Sequence, residues 1–103
     1  MTWVKICGTT NLEDAQASVQ AGADALGFVF HEKSSRHVDA ETARRIIAQL
    51  PPAIEKVGVF INQDETAICE TAARAALTAV QLHGDYEDPR VADLILQRLP
   101  HLK

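Results

Sequence analysis

The spacing of apolar residues changes period repeatedly along this chain. Four short runs are rich in β-branched or aromatic residues and predict strands: WVKIC (Trp3 to Cys7), ALGFVF (Ala25 to Phe30), KVGVFI (Lys56 to Ile61) and AVQLH (Ala79 to His83). ALGFVF and VGVFI are apolar on both faces, which suits parallel strands covered by helices.

Between the strands the period becomes helical. Thr10 followed by Glu13 reads as a capping box, Leu12, Ala15 and Val19 share a face, and Gly22 ends the first helix. Asp39 caps a second helix with Ala43, Ile46, Ile47 and Leu50 inward, stopped by Pro51 and Pro52. Asn62 with Glu65 reads as a further capping box, ahead of the stripe Ile68, Ala72 and Ala75. Asp88 and Pro89 open a fourth helix, with Val91, Leu94, Ile95 and Arg98 on one stripe and Pro100 after it.

The order βαβαβαβα implies an α/β fold with a parallel sheet and right-handed crossovers. A small open doubly wound sheet and half of a (β/α)8 barrel both satisfy it. In either, chemistry belongs at the carboxyl ends of the strands. Cys7, the loops after Phe30 and Ile61, and His83 all fall at that edge.

Composition narrows the class. With 103 residues the chain is one domain or part of one. A net charge of −4 argues against a dedicated nucleic-acid binder, and Arg44-Arg45 fits a solvated helix face. Two cysteines give no disulfide framework, so a reduced, cytoplasmic protein is expected. Lys5 interrupts the only early apolar stretch, so no signal peptide is expected. ALGFVF is far too short to span a membrane.

Strand alternation sets Cys7, Lys5 and Trp3 on one face, with Val4 and Ile6 on the other, and likewise Gln81 and His83 opposite Val80 and Leu82. Polar residues on one side and aliphatic ones on the other fit a barrel whose helices cover the aliphatics. Lys5 and Gln81 must then find hydrogen-bond partners inside, as support for a site. Cys7 is either a small buried hydrophobe or a reacting thiol, whereas mid-helix Cys69 reads as core packing. The loop HEKSSRHVD (His31 to Asp39) is either solvated or an anion site, in which Arg36 would grip a carboxylate or phosphate with its planar donor pair. His83 can be a general base, a satisfied core histidine or a residue lining the substrate site. A direct Cys7–His83 dyad is not expected, because first and fourth strands are not neighbours. There is no Walker loop, Gly-x-Gly-x-x-Gly, Cys-x-x-Cys or His-Glu-x-x-His, and the histidines lack metal-ligand spacing. No cofactor or metal is implied.

The segments KICGTTNLEDA, GADALGFVF, SSRHV, VGVFIN and VQLHG, in that order from Trp3 to about Arg98, resemble the phosphoribosylanthranilate isomerases of tryptophan biosynthesis. Glu32 departs from that pattern, in which proline often precedes the lysine-serine pair. The resemblance implies a (β/α)8 barrel and an Amadori rearrangement of N-(5-phosphoribosyl)anthranilate to 1-(2-carboxyphenylamino)-1-deoxyribulose 5-phosphate. It implies that Cys7 is the general base at ribose C2 and that Arg36 holds the anthranilate carboxylate. Only a thiolate is a good base, so Lys5 is expected either to favour that form or to pair with an acid deeper in the barrel.

In the family a general-acid aspartate ends strand six, and loops after strands seven and eight hold the phosphate. Asp85, Asp88 and Asp93 do not stand in for that acid. Residues 1–103 are therefore expected to form the amino-terminal half of a TIM-barrel domain, inactive alone. Its open edge strands should pair with a carboxy-terminal half or with a second copy. A non-catalytic half-barrel assembly module is the alternative. A thiol-based or anion-binding α/β domain outside the family is a third reading.

Overall fold

The structure, a computed structural model, describes residues 4–31, 33–61, 63–83 and 95–96. Strands and helices alternate as β1 (Lys5–Ile6), α1 (Leu12–Gln20), β2 (Ala25–Val29), α2 (Ala40–Ile47), β3 (Glu55–Ile61), α3 (Glu65–Ala75) and β4 (Ala79–His83). The four strands lie in the order β1-β2-β3-β4, every adjacent pair parallel. A doubly wound sheet reverses its strand order at a switch point; this one does not. The fold is the first half of a (β/α)8 barrel. Residues 95 and 96 are helical and Ile95 is buried. The other residues assigned to a fourth helix, Asp88, Pro89 and Arg98 among them, lie outside the described residues, as do Trp3, Glu32 and Asn62.

The sheet has two unlike faces because strand residues alternate. Leu26, Phe28, Phe30 and Phe60 point to the helices and pack with Ala15, Ile46, Ile47, Ile68 and Leu77 in one core. Phe30 and Phe60 stack, with ring centroids 5.3 Å apart and planes 17° apart. Each fully buried large side chain here contributes about 1.5–3 kcal/mol. The other face is lined by smaller residues, and Ala25, Val57 and Ala79 form a separate buried cluster across β2, β3 and β4. Lys56, just before the apolar run VGVFI, is a charged residue buried in β3. It is 6% exposed, and its ammonium donates to the Pro51 carbonyl at 3.0 Å, tying β3 to the turn after α2. Burial lowers its pKa from the ordinary 10.5.

The helix stripes read from sequence are those that pack. Ala15, Ala43, Ile46, Ile47, Ile68, Ala72 and Ala75 are buried, and Leu12, Val19 and Leu50 pack against them. Two caps move by a residue or two. The first is Asn11, not Thr10: its Oδ1 accepts the Asp14 N–H at 2.8 Å, and its amide donates to the Asp14 carboxylate at 3.0 Å. Asparagine satisfies an open helix end better than threonine does. The third is Asp64, which accepts the Ala67 N–H at 2.8 Å, so the Asn62–Glu65 box does not form this helix start. Asp39 caps α2 as read, accepting from the Thr42 N–H at 2.7 Å.

Ala76 closes α3 with φ 64° and ψ 45°, the one non-glycine residue with positive φ among the described residues. A Cβ in the left-handed region crowds the following carbonyl. Ala76→Gly should therefore raise stability by about 0.5–1 kcal/mol after the extra chain entropy of glycine is subtracted. Urea unfolding measures this, and a loss of stability would contradict the strain.

Hydrogen bonds from the Thr42 backbone and side chain, aided by the charges of His37 and Arg45, hold the Asp39 carboxyl below its ordinary 3.8. A depressed carboxyl stabilises the fold above the unfolded value and loses that contribution as pH falls through the folded one. Asp39→Asn keeps a capping oxygen but cannot titrate. Its thermal midpoint should match the wild type near pH ~7 and fall less steeply below pH ~4. Parallel acid limbs would refute this role.

Candidate active site

The site begins where β1 stops. The sequence reading carried the first strand through Cys7, but the ladder ends at Ile6. Beyond it, the N–H groups of Gly8 and Thr9 both turn to the carbonyl of Gly27 on β2, at 3.1 and 3.0 Å. A shared acceptor cannot continue an evenly spaced parallel ladder, so Cys7 sits on the first residue of a turn. Gly8 takes φ 83°, a conformation that favours glycine. At the other end of β1, the Asp24 carboxylate accepts the Val4 N–H at 2.8 Å, and the Val4 carbonyl receives Asp24 N–H at 2.8 Å. The two-residue strand is thus held at both ends.

Cys7 is exposed, and the sheet beside it has no side chain. A Cβ built on Gly27 would lie 3.0 Å from Cys7 Sγ and 3.2 Å from its Cα. Cys69 is buried in α3, in keeping with a packing role.

Arg36 reaches the same place from the loop after β2. That loop is folded rather than loose: Ser34 N–H donates to His31 O at 3.0 Å, His37 N–H to Ser34 O at 3.2 Å, and Arg36 N–H to Ser34 Oγ at 3.1 Å. His37 bridges Val29, and Val38 is buried. The Arg36 side chain crosses the bare face of Gly8, where an added Cβ would meet its Cδ at 2.5 Å and Nη1 at 3.1 Å. Cys7, Gly8, Thr9 and Arg36 line one cleft of about 270 Å³ together with Ile6 of β1 and Asp14, Ala17 and Ser18 of α1. A thiol and a guanidinium from different loops share one opening at the carboxyl edge of the sheet. Together they can offer a base and a two-pronged grip on an anion.

Lys5 and Gln81 answer the demand for partners on the concave face by bonding to each other. The Lys5 ammonium donates to Gln81 Oε1, joining β1 to β4 across the sheet. Among the described residues Lys5 pairs with Gln81 rather than with an acid. His83 is the last residue of β4 and pairs with Ile61, but its side chain lies outside the described residues. β1 and β4 are the two outer strands of the four-stranded order. Asp85, Asp88 and Asp93 lie outside the described residues. Among the described residues, no group of three His, Cys, Asp or Glu side chains gathers as metal ligands, and no helix is long and apolar enough to cross a membrane.

Sequence reasoning missed three contributors. Gly27 stood in an apolar run as one more strand position, although a glycine inside a strand often marks close approach by another segment. Asp24, which accepts the Val4 N–H, carries no mark in the sequence pattern. Gln63, whose amide donates to Phe30 O at 3.0 Å, ties the loop after β3 to the end of β2; nothing local distinguishes it from a surface glutamine.

The family model for N-(5'-phosphoribosyl)anthranilate (PRA) isomerase matches residues 4–103. The N-(5'-phosphoribosyl)anthranilate isomerase of Geobacter sulfurreducens is 54% identical over 99 residues, covering 96% of this chain and 48% of that protein. The crystal structure of the Thermotoga maritima phosphoribosyl anthranilate isomerase superposes with a TM-score of 0.90 at 51% identity, over 95% of this chain and 47% of that one. A phosphoribosyl anthranilate isomerase solved with reduced 1-(o-carboxyphenylamino)-1-deoxyribulose 5-phosphate also gives 0.90 at 51%, over 95% of this chain and 50% of that one. The chain spans about half the length of the curated relatives it matches. The five ordered segments, the half-barrel order of the strands and these matches agree: the chain belongs to the N-(5'-phosphoribosyl)anthranilate isomerase family.

Proposed function

We propose that this chain carries the base and the carboxylate grip of a phosphoribosylanthranilate isomerase, acting in the cytoplasm in tryptophan biosynthesis. The observation that supports it most is the meeting of Cys7 and Arg36 in one cleft at the carboxyl edge of the sheet.

The chemistry assigns each group a task. Opening of the ribose ring leaves an iminium between C1 and the anthranilate nitrogen. The Cys7 thiolate takes the C2 proton, and the electron pair moves to form an enolamine. Protonation at C1 and loss of the enol proton leave the 2-ketone, so the step is an isomerisation with no net redox change. Arg36 holds the anthranilate carboxylate and so fixes C2 against the thiol; a well-placed pair of reacting groups removes much of the entropic barrier. Lys5 and Gln81 support the concave face beneath, and His83 lines the substrate site from the end of β4.

The general acid and the phosphate loops belong, in this proposal, to a carboxy-terminal half-barrel on the same or a second polypeptide. Residues 1–103 then form the amino-terminal half of one TIM-barrel domain, inactive by itself. The exposure of Val4 (38%) and Ile6 (41%) supports this. With Ala17, Ala21 and Ala23 they line an apolar groove of about 260 Å³ along β1 and α1. An edge strand with such a face invites another chain.

The test adds to this chain the carboxy-terminal half of the Geobacter sulfurreducens relative and follows turnover of N-(5'-phosphoribosyl)anthranilate. Activity in the mixture and none in either half is expected. In the active mixture, Cys7→Ala should lower kcat by about 10²–10⁴-fold. Arg36→Lys should raise KM by about tenfold or more, because an ammonium cannot make the paired contact. A stable assembly without turnover would favour a non-catalytic assembly module instead, and activity retained by Cys7→Ala would remove Cys7 from the chemistry.

A further inference from the structure

We propose that Gly8 and Gly27 are the positioning residues of this site, with separate duties: Gly8 sets the Arg36 guanidinium and Gly27 sets the Cys7 thiol. The assignment rests on the functional reading above, in which those two side chains touch substrate.

The two glycines are joined through one carbonyl. Gly27 O accepts the N–H of Gly8 and of Thr9, so the turn carrying Cys7 is fastened to β2 at the residue whose missing side chain faces the thiol. What a methyl group would meet differs at the two positions. At Gly27 it would lie 3.0 Å from Cys7 Sγ, 3.2 Å from Cys7 Cα and 3.4 Å from Cys7 Cβ. One of those atoms is backbone, so relief requires the turn and its thiol to move together. At Gly8 the three atoms nearest to the methyl would all belong to the Arg36 side chain: Cδ at 2.5 Å, Nη1 at 3.1 Å and Nε at 3.5 Å. A long flexible side chain yields easily, so this crowding falls on the guanidinium. The φ of 83° at Gly8 also strains an alanine there, and that torsion begins at the Cys7 carbonyl, so the Arg36→Ala background below separates the guanidinium from the backbone.

Gly58 supplies a control of another kind. A methyl group there would meet Leu77 at 2.4 Å, Phe60 at 2.9 Å and Phe30 at 3.3 Å, all in the core. Gly58→Ala should destabilise the fold without favouring either site side chain.

Gly8→Ala, Gly27→Ala and Gly58→Ala are compared in the chain assembled with the carboxy-terminal half. Gly8→Ala should raise KM by about tenfold with kcat within about threefold, and Gly27→Ala should lower kcat by about tenfold with KM within about threefold. Iodoacetamide labelling of Cys7, followed by peptide mass, gives a readout independent of turnover, because Cys69 is buried. Labelling should slow about threefold or more in Gly27→Ala, where the methyl covers one side of the sulfur, and change less than about twofold in Gly8→Ala. If the unsubstituted assembly has no isomerase activity, the functional reading fails, and the labelling contrast alone decides the glycine assignment.

Should a variant be too unstable to assay, thermal midpoints decide. The cost of Gly27→Ala should shrink in part in a Cys7→Ala background, which removes Sγ but keeps Cα and Cβ, and that of Gly8→Ala in an Arg36→Ala background, which removes all three crowded atoms. Equal costs in both backgrounds, equal labelling in both glycine variants, or kcat and KM changes that follow those of Gly58→Ala would overturn the division of duties.

Discussion

One backbone carbonyl organises the reactive edge of this protein. Gly27 O accepts two N–H groups from the turn after β1, and this ends a strand of two residues and fixes the direction of the chain beyond it. Each such bond adds only about 0.5–1.5 kcal/mol to stability. The helix-facing core, with Phe28, Phe60, Leu26, Ile68 and Leu77 each fully buried, outweighs it several times over at about 1.5–3 kcal/mol per side chain. Stability therefore comes from the outer face of the sheet. Placement of Cys7 comes from two weak bonds at its edge.

The concave face solves a different problem. It has fewer apolar atoms to bury, so small residues cluster at Ala25, Val57 and Ala79 while Lys5 and Gln81 bond to each other across it. A buried or half-buried ammonium without a partner would be costly. Its amide partner comes from β4, so the pair joins the two outer strands of the sheet. The loops above carry the chemistry: the Arg36 loop is fastened at His37 to Val29 and closed by the Asp39 cap, so its guanidinium hangs from a short tethered arch.

Much of this was legible in the sequence. The four strands, the parallel order and the buried stripes of three helices follow from periodicity, because burying one face against another dictates which positions are apolar. The placing of Cys7, Arg36 and His83 at the carboxyl edge follows from the βα order alone. Three features were not legible. The end of β1 depends on a carbonyl twenty residues away, which no local pattern near Cys7 encodes. The helix starts at Asn11 and Asp64 were misread because several capping residues stand side by side, and tertiary packing chooses among them. The value of Gly27 lies in what approaches it, and a sequence shows the glycine but not the thiol.

Amide hydrogen exchange at Gly8 and Thr9 tests the central claim most directly, since it reads the two bonds to Gly27 themselves. Both amides should be protected to a degree comparable with Phe30, whose N–H donates to Val59 O inside the sheet. Exchange of either amide at the rate of an open loop would mean that the turn is not fastened to β2, and that Cys7 owes its position to something else.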